Sequence, residues 1–439
     1  MLPDLIEIVS ATGPVRAEIS APGSKSITNR ALILAALAQG EVTLAGALWS
    51  EDTQIMANCL QELGFEIHVR PDPGEFCNRI ITIKGLAGKI PNGGTDHAPL
   101  DLHVGNAGTA ARFLSALLCL GGGVYRLSGV PRMHERPQAE LFHALRQLGY
   151  RIEPERRDDR LPARIFGQGP KSGKCSASIQ ESSQFASALL LCRKAGGWEV
   201  QVTGENAEES PYVAMTSKMT EAFPYHGGTF QIEPDASSGS YFRAADWLFA
   251  ATSDGFGKIT VRNWPKSGWQ IDAAFPAFLP LPESISRNGQ LGDSIMTAIV
   301  LAADERTERG PRAHGKREKI HFTDLDRLRV QECDRVLALR TELRKCGAKI
   351  VEKGDTLTIH PSQLHGSEIE TYNDHRMAMC FAILGLKIPG IKIKNPACVK
   401  KTFPNFFQKL AAAPPTGLGV SILEADTGRP LRLEELFAH

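Results

Sequence analysis

Six times along the chain a polar or glycine-rich stretch leads into a run of small apolar residues: "SKSITNRALILAALA", "GNAGTAARFLSALLCL", "SSQFASALLLC", "SGSYFRAADWLFAA", "GDSIMTAIVLAA" and "DHRMAMCFAILGL". Alanine and leucine in such density suit helix, and the missing polar face implies burial on all sides. A more amphipathic helix follows each: "EDTQIMANCLQELG", "ERPQAELFHALRQLG", "ESPYVAMTSKMTEAF", "GWQIDAAFPAFLPL", "QECDRVLALRTELRKCG" and "KTFPNFFQKLAAA". Prolines at 276 and 280 interrupt the fourth. Gly64, Gly149 and Gly347 close three of these helices and lead into the strand-like "FEIHV", "YRIEP" and "AKIVE". The pattern predicts an internally repeated α/β protein of six units, each roughly 55 to 85 residues with two helices and several short strands.

At 439 residues the chain exceeds one ordinary core, so two or more domains are expected. A net charge of +1 gives no reason to expect a nucleic acid or an anionic membrane as partner. The nine cysteines are odd in number and form no CxxC pair, which argues against a disulfide framework or a zinc ribbon. Acids come early in "MLPDLIEIVS", unlike a secretory leader, and no apolar run approaches the ~18 residues that span a bilayer. These features predict a reduced, cytoplasmic enzyme.

The polar starts of the apolar helices carry Lys25, Ser26, Arg30, Asn106, Ser183, Gln184, Asp293 and Arg376. Helix N-termini offer free N–H groups and about half a positive charge each, so starts gathered on one cleft favour anions. Arg112, Arg136, Arg335 and Lys401 fall at helix starts too and add full charges. The substrate is therefore expected to be small and multiply anionic. "APGSKSITNR" looks built for an anion, yet it lacks the GxxxxGK[ST] spacing of a nucleotide P-loop.

Eight segments in order, "GSKSITNRAL", "GNAGTAARFL", "PRMHERP", "SSQFASALL", "PDASSGSYF", "RVQECDR", "YNDHRMAM" and "KTFP", resemble the enolpyruvyl transferase family and span nearly the whole chain. The resemblance implies a two-lobed, inside-out α/β barrel of six βαβαββ repeats, three per lobe. Residues 1–22 and 236–439 would form a discontinuous lobe, with a C-terminal extension from about 411, and residues 23–235 the other. It implies transfer of the enolpyruvyl group of phosphoenolpyruvate to the 5-hydroxyl of shikimate 3-phosphate, with release of phosphate. It implies a monomer acting on small anionic substrates, with no metal, cofactor, nucleic acid or membrane.

Carried over by motif, Lys25, Asp293 and Glu332 would be catalytic, with the two carboxylates moving protons. Phosphoenolpyruvate would meet Lys25, Asn106, Gly108, Arg136, Gln184, Arg335, Arg376 and Lys401. Arginine suits that work because its planar fork reads carboxylate and phosphate bidentately. The acceptor would meet Lys25, Ser26, Arg30, Ser182, Ser183, Gln184, Ser210, Tyr212, Asp293, Arg327 and Gln331. Blander readings stand beside these: Ser26 or Asp293 as a helix cap, Glu332 and Arg335 as a surface pair at i, i+3 on one helix, and residues 306–319 as a solvated loop. His134 and His375 read as structural.

Three departures concern the acceptor. Gln331 stands where the family usually has lysine, Arg327 where a small polar residue is common, and Glu209 where a phosphate-binding serine is usual, with Ser210 adjacent. They motivate an alternative acceptor such as UMP; a UDP-amino sugar is disfavoured because no reactive-cysteine loop is evident. A non-catalytic anion-binding relative is the reading from another class, against which the retained Lys25, Asp293, Glu332 and Lys401 argue. "FLPLPESISRNGQLGDS" replaces the family's shorter approach to its aspartate, and the tail from Ala411 reads as an extra strand and helix or as an interaction arm. Gly108 leaves room for glyphosate, the family inhibitor, while Phe113 replaces a proline of some sensitive members.

Overall fold

The apolar helices form where the pattern puts them. The computed structural model describes residues 2–11, 15–156, 158–204, 210–250, 258–305 and 319–439. The α-helices are α1 (Lys25–Leu37), α2 (Glu51–Glu62), α3 (Gly108–Cys119), α4 (Pro131–Glu135), α5 (Ala139–Gln147), α6 (Ser183–Gly196), α7 (Pro211–Ala222), α8 (Ala236–Ala250), α9 (Ile295–Ala302), α10 (Arg335–Lys345), α11 (His375–Gly385) and α12 (Phe406–Ala411). Every residue of α3, α9 and α11 is buried, as is α1 from Ile27 onward. None of these helices is long and apolar enough to cross a membrane, among the described residues.

The chain divides into two units, Gly23–Glu233 and Met1–Pro22 with Pro234–His439. In the first, α1, α3 and α6 pack on one another; in the second, α8, α9 and α11 do the same. Among the described residues, each unit has two four-stranded sheets and one two-stranded parallel sheet. All four larger sheets share one pairing pattern, a parallel pair followed by two antiparallel pairs. Gly228–Gln231, Gln39–Leu48, Asn78–Leu86 and Ile67–Pro71 form one of them. Leu100–His103, Val124–Ser128, Ala163–Phe166 and Arg151–Pro154 form the next. In the second unit the pattern recurs in Ser284–Ser286, Ile320–Thr323, Thr356–His360 and Lys349–Lys353. It recurs again in Glu368–Ile369, Lys392–Lys394, Leu5–Ile8 and Ile422–Glu424.

The three terminal glycines explain how the amphipathic helices feed these sheets. Gly64, Gly149 and Gly347 sit at φ of 91°, 82° and 93°, the left-handed region that a side chain resists. At each, the glycine N–H reaches a carbonyl three residues back and the next residue's N–H reaches one five back: Phe65 to Leu60, Tyr150 to Leu145, Ala348 to Leu343. The same closing motif therefore launches the same edge strand three times.

One expectation changes, and one pair of alternatives is decided in favour of the extra strand and helix. The fourth amphipathic helix is a 3-10 helix, Ile271–Phe278, because Pro276 has no N–H to give an α-helical ladder. The tail is integral to the second unit: Ile422–Glu424 pairs antiparallel with Leu5–Ile8 and supplies the fourth strand of its sheet. Leu418, Val420, Ile422, Leu436 and Ala438 are buried in that unit's core.

Candidate active site

In the first unit the starts of α1, α3 and α6 bring cations together. Lys25 opens α1, and its Nζ lies 3.1 Å from Oδ2 of Asp52, a buried acid in the first turn of α2. Arg112 donates to Gln184 Oε1 at 2.9 Å and to Pro137 O at 3.1 Å. Arg136 donates to Asn106 O at 3.2 Å. Gln184 sits at the start of α6, whose cap Ser182 accepts from Gln184 N–H. Gly108 is the point of closest approach: a Cβ there would lie 2.6 Å from both Arg112 Nη1 and Arg136 Nη2. Neither α1 nor α3 has an acid in its first turn or a side-chain cap, so their leading N–H groups add to the positive field.

Arg30 is placed differently from the other cations. It is 2% exposed and donates inward, to Thr216 Oγ1 at 2.8 Å, Ser187 Oγ at 3.0 Å, Ser26 O at 3.0 Å and Tyr212 O at 3.4 Å. Burial lowers its pKa to about 10, and its guanidinium stacks 5.2 Å from the Phe113 ring centroid. In this conformation Arg30 ties α1 to α6 and α7. Ser26 lies within α1, whose cap is Ser24, so it is not a cap. Ser210 caps α7 by position, and its buried hydroxyl has no partner among the described residues. Ser183 is the first residue of α6 and Tyr212 the second of α7.

The second unit is built the other way round: its helix starts carry their own carboxylates, and these hold arginines. Asp235 accepts from Ser238 N–H, and Asp374 caps α11 by accepting from Arg376 N–H. Asp272, on the 3-10 helix, accepts from Gly292 and Ser294 N–H and from the hydroxyls of Ser294 and Ser237. Burial raises the Asp272 pKa first and the Asp293 charge second.

Asp293 precedes the Ser294 cap of α9 and caps nothing with its side chain; it is held by arginines. Arg287 lies 3.1 Å from Oδ1, Arg376 3.1 Å from Oδ2 and Arg335 3.8 Å from Oδ1. Burial alone would raise its pKa, but Arg376, Arg335 and Arg287 outweigh that and hold it well below the usual carboxylate range. Arg335 binds Asp374 at 2.7 and 3.2 Å, binds Glu332 at 2.8 Å and donates to Gln331 Oε1. Lys401 lies 3.4 Å from Glu332. Arg327 is half-buried, and its pKa falls through burial and then the charge of Arg287.

Glu332 and Arg335 are not a surface pair on one helix. Asp334 caps α10 by accepting from Leu337 N–H, so the helix begins at Arg335 and Glu332 lies in the turn before it, nearly buried. Asp52, Asp272, Asp374 and Arg287 were absent from the sequence-derived set. Asp374 stands inside "YNDHRMAM" and Asp52 at a helix start, which are usable signals; Arg287 has none. Glu209 and residues 306–318 lie outside the described residues.

The family model for EPSP synthase (3-phosphoshikimate 1-carboxyvinyltransferase) matches residues 9–278 and 291–410. The chain belongs to the EPSP synthase family. It is 36% identical over 435 residues to the 3-phosphoshikimate 1-carboxyvinyltransferase of Trichormus variabilis, covering 92% of this chain and 98% of that one. The enzyme of the same name from Opitutus terrae is 37% identical, with 93% and 97% covered. A solved EPSP synthase from Acinetobacter baumannii superimposes with a TM-score of 0.69 at 21% identity over 93% of this chain and 97% of that one, a likeness of fold. Within EPSP synthase family membership, the match breaks at 279–290, the segment that supplies Arg287.

Proposed function

We propose that this chain transfers the enolpyruvyl group of phosphoenolpyruvate to the 5-hydroxyl of shikimate 3-phosphate, releasing phosphate. The carrying observation is the charged cluster of the second unit. There Arg287, Arg335, Arg376 and Lys401 meet Asp293 and Glu332 at bonding or electrostatic range, with Arg327 near enough to Arg287 to feel its charge. Two substrates bearing carboxylates and phosphates need such cations. The reaction also needs one group to take the acceptor's hydroxyl proton and one to protonate the enol carbon.

Asp293, kept ionised by its arginines, takes the proton from the 5-hydroxyl. Glu332, between Arg335 and Lys401, serves the enol carbon, and Lys25 is the catalytic cation of the first unit. Arg335, Arg376 and Lys401 are the phosphoenolpyruvate ligands of the second unit; Arg136, Asn106, Gly108 and Gln184 are those of the first. While Arg30 braces α1, α6 and α7 behind them, Ser26, Ser182, Ser183, Ser210 and Tyr212 attend the acceptor. Arg327 supplies there the positive charge that Gln331 lacks, and the relatives above carry the shikimate 3-phosphate name, so nothing favours UMP. The pairing pattern that recurs twice in each unit, beside one two-stranded parallel sheet, supports a repeated βαβαββ build, which we read as three repeats per unit in an inside-out barrel. A cytoplasmic monomer is the simplest form for this work.

Phosphorus and proton NMR of a complete reaction tests the reading. One phosphate should appear for each enolpyruvyl ether formed at the 5-oxygen; phosphate without that ether would contradict it. Gly108→Ala is expected to raise KM for phosphoenolpyruvate by about 10- to 100-fold with a smaller change in kcat. Its methyl group would displace guanidiniums already fixed to Gln184 and Asn106, losing roughly one or two charge-assisted hydrogen bonds. An unchanged KM would remove Gly108 from the donor site.

A further inference from the structure

Residues 279–290 fall between the two stretches that the family model matches. They build a strand, Ser284–Ser286, parallel to Ile320–Thr323. One residue further on, Arg287 N–H donates to Thr323 O at 3.1 Å, which fixes the backbone of Arg287. Its side chain turns inward, 6% exposed, and Nη2 donates to Asp293 Oδ1 at 3.1 Å. Arg376, from the start of α11, holds the other carboxylate oxygen at the same distance. Two elements far apart in sequence thus grip the two oxygens of one carboxylate.

The surroundings leave Asp293 dependent on that grip. It lies before the α9 cap, so no backbone N–H of the helix fixes its rotamer. Arg335 stands farther away, at 3.8 Å, and is already committed to Asp374 and Glu332. Glu332 and Asp272 are the acids whose charge reaches the pair, and both push against ionisation of a neighbouring carboxylate. Behind Arg376 stands the Tyr241 hydroxyl at 3.5 Å, and beside Arg287 stands Arg327. Arg287 Nε is buried without a hydrogen-bond partner among the described residues, so its fork serves Asp293 rather than a closed structural network.

We infer that Arg287, supplied by a segment outside the family match, is a positioning residue that holds the Asp293 carboxylate in place to take the acceptor proton. This rests on the reading of Asp293 as the proton acceptor. The sign of the electrostatic effect follows. An adjacent guanidinium favours the ionised carboxylate, so removing it raises the Asp293 pKa, and activity is lost at a higher pH on the acid side.

The test is the pH profile of kcat for Arg287→Gln and Arg287→Lys, with phosphoenolpyruvate and shikimate 3-phosphate saturating. Arg287→Gln should lose roughly 10- to 100-fold in kcat. Its KM for phosphoenolpyruvate should move less than about threefold, and its acid limb should rise by about one pH unit. Arg287→Lys should return the limb close to that of the parent and recover much of kcat. The inference is overturned by an unmoved limb and kcat in Arg287→Gln. It is equally overturned by a kcat loss that follows a fall in Tm in both variants while the limb stays put. Asp293→Asn separates the two layers. If it is inactive while Arg287→Gln is normal, only the role of Arg287 fails; if Asp293→Asn turns over like the parent, the proton-acceptor reading fails and this inference with it.

Discussion

Arg335→Met should destabilise the protein by roughly 3 to 5 kcal/mol, the range for removing one partner of a buried ion pair. Arg335 is 1% exposed and Asp374 0%, and the two share bonds of 2.7 and 3.2 Å. Burial works against the Arg335 charge, but Asp374, Glu332 and Asp293 outweigh it and push its pKa above the ordinary arginine value. Methionine preserves much of the volume, so the loss is electrostatic: the fully buried Asp374 loses its guanidinium partner. Asp374 also caps α11 and so orients Arg376. The urea midpoint of the unfolding step should therefore fall sharply, with activity lost as well. Adding Asp374→Asn should recover part of the loss, since two absent charges cost less than one stranded charge. A single variant as stable as the parent would show that water reaches the pair, against the burial described.

Asp293→Asn is expected to lower kcat by roughly 10²- to 10⁴-fold, the contribution typical of a positioned general base. KM for phosphoenolpyruvate should change far less, because the arginines released from Asp293 remain to bind anions. A carboxylate held well below its usual range is a weak base on its own. On the proposed reading the substrates alter this: their phosphates and carboxylates would compete for Arg335 and Arg376, which now hold Asp293, and so raise the Asp293 pKa in the complex. The acid limb should accordingly lie higher for kcat, which reports the ternary complex, than for kcat/KM, which reports the free enzyme. Steady-state phosphate release across pH measures both. A variant within tenfold of the parent would assign the proton to another group.

Much of the fold was legible because it is written in local patterns. Small apolar runs mark helices that are buried all round, and three glycines mark a closing motif that needs positive φ. Where sequence reading failed, tertiary context had decided. The spacing of Glu332 and Arg335 suited a helical surface pair, but Asp334 caps the helix one residue before Arg335 and leaves Glu332 in a turn. Pro276 converts a predicted α-helix to 3-10, while for the tail the structure selects the extra strand and helix over the interaction arm, because Leu5–Ile8 has an edge to fill. The cations at the helix starts were visible one by one. Their carboxylate partners were harder to see: Asp52 meets Lys25 in the first unit, and Asp374 meets Arg335 in the second, only through packing. Arg287 lies in a segment with no pattern of its own, and strand pairing alone brings it to Asp293.

The central claim is the acceptor, and phosphate release from phosphoenolpyruvate with shikimate 3-phosphate, shikimate or UMP tests it most directly. The account predicts saturable release with shikimate 3-phosphate and none above background with the other two. Release with UMP and none with shikimate 3-phosphate would contradict it, and would mean that Arg327 and Gln331 belong to a pocket rebuilt for a different acceptor.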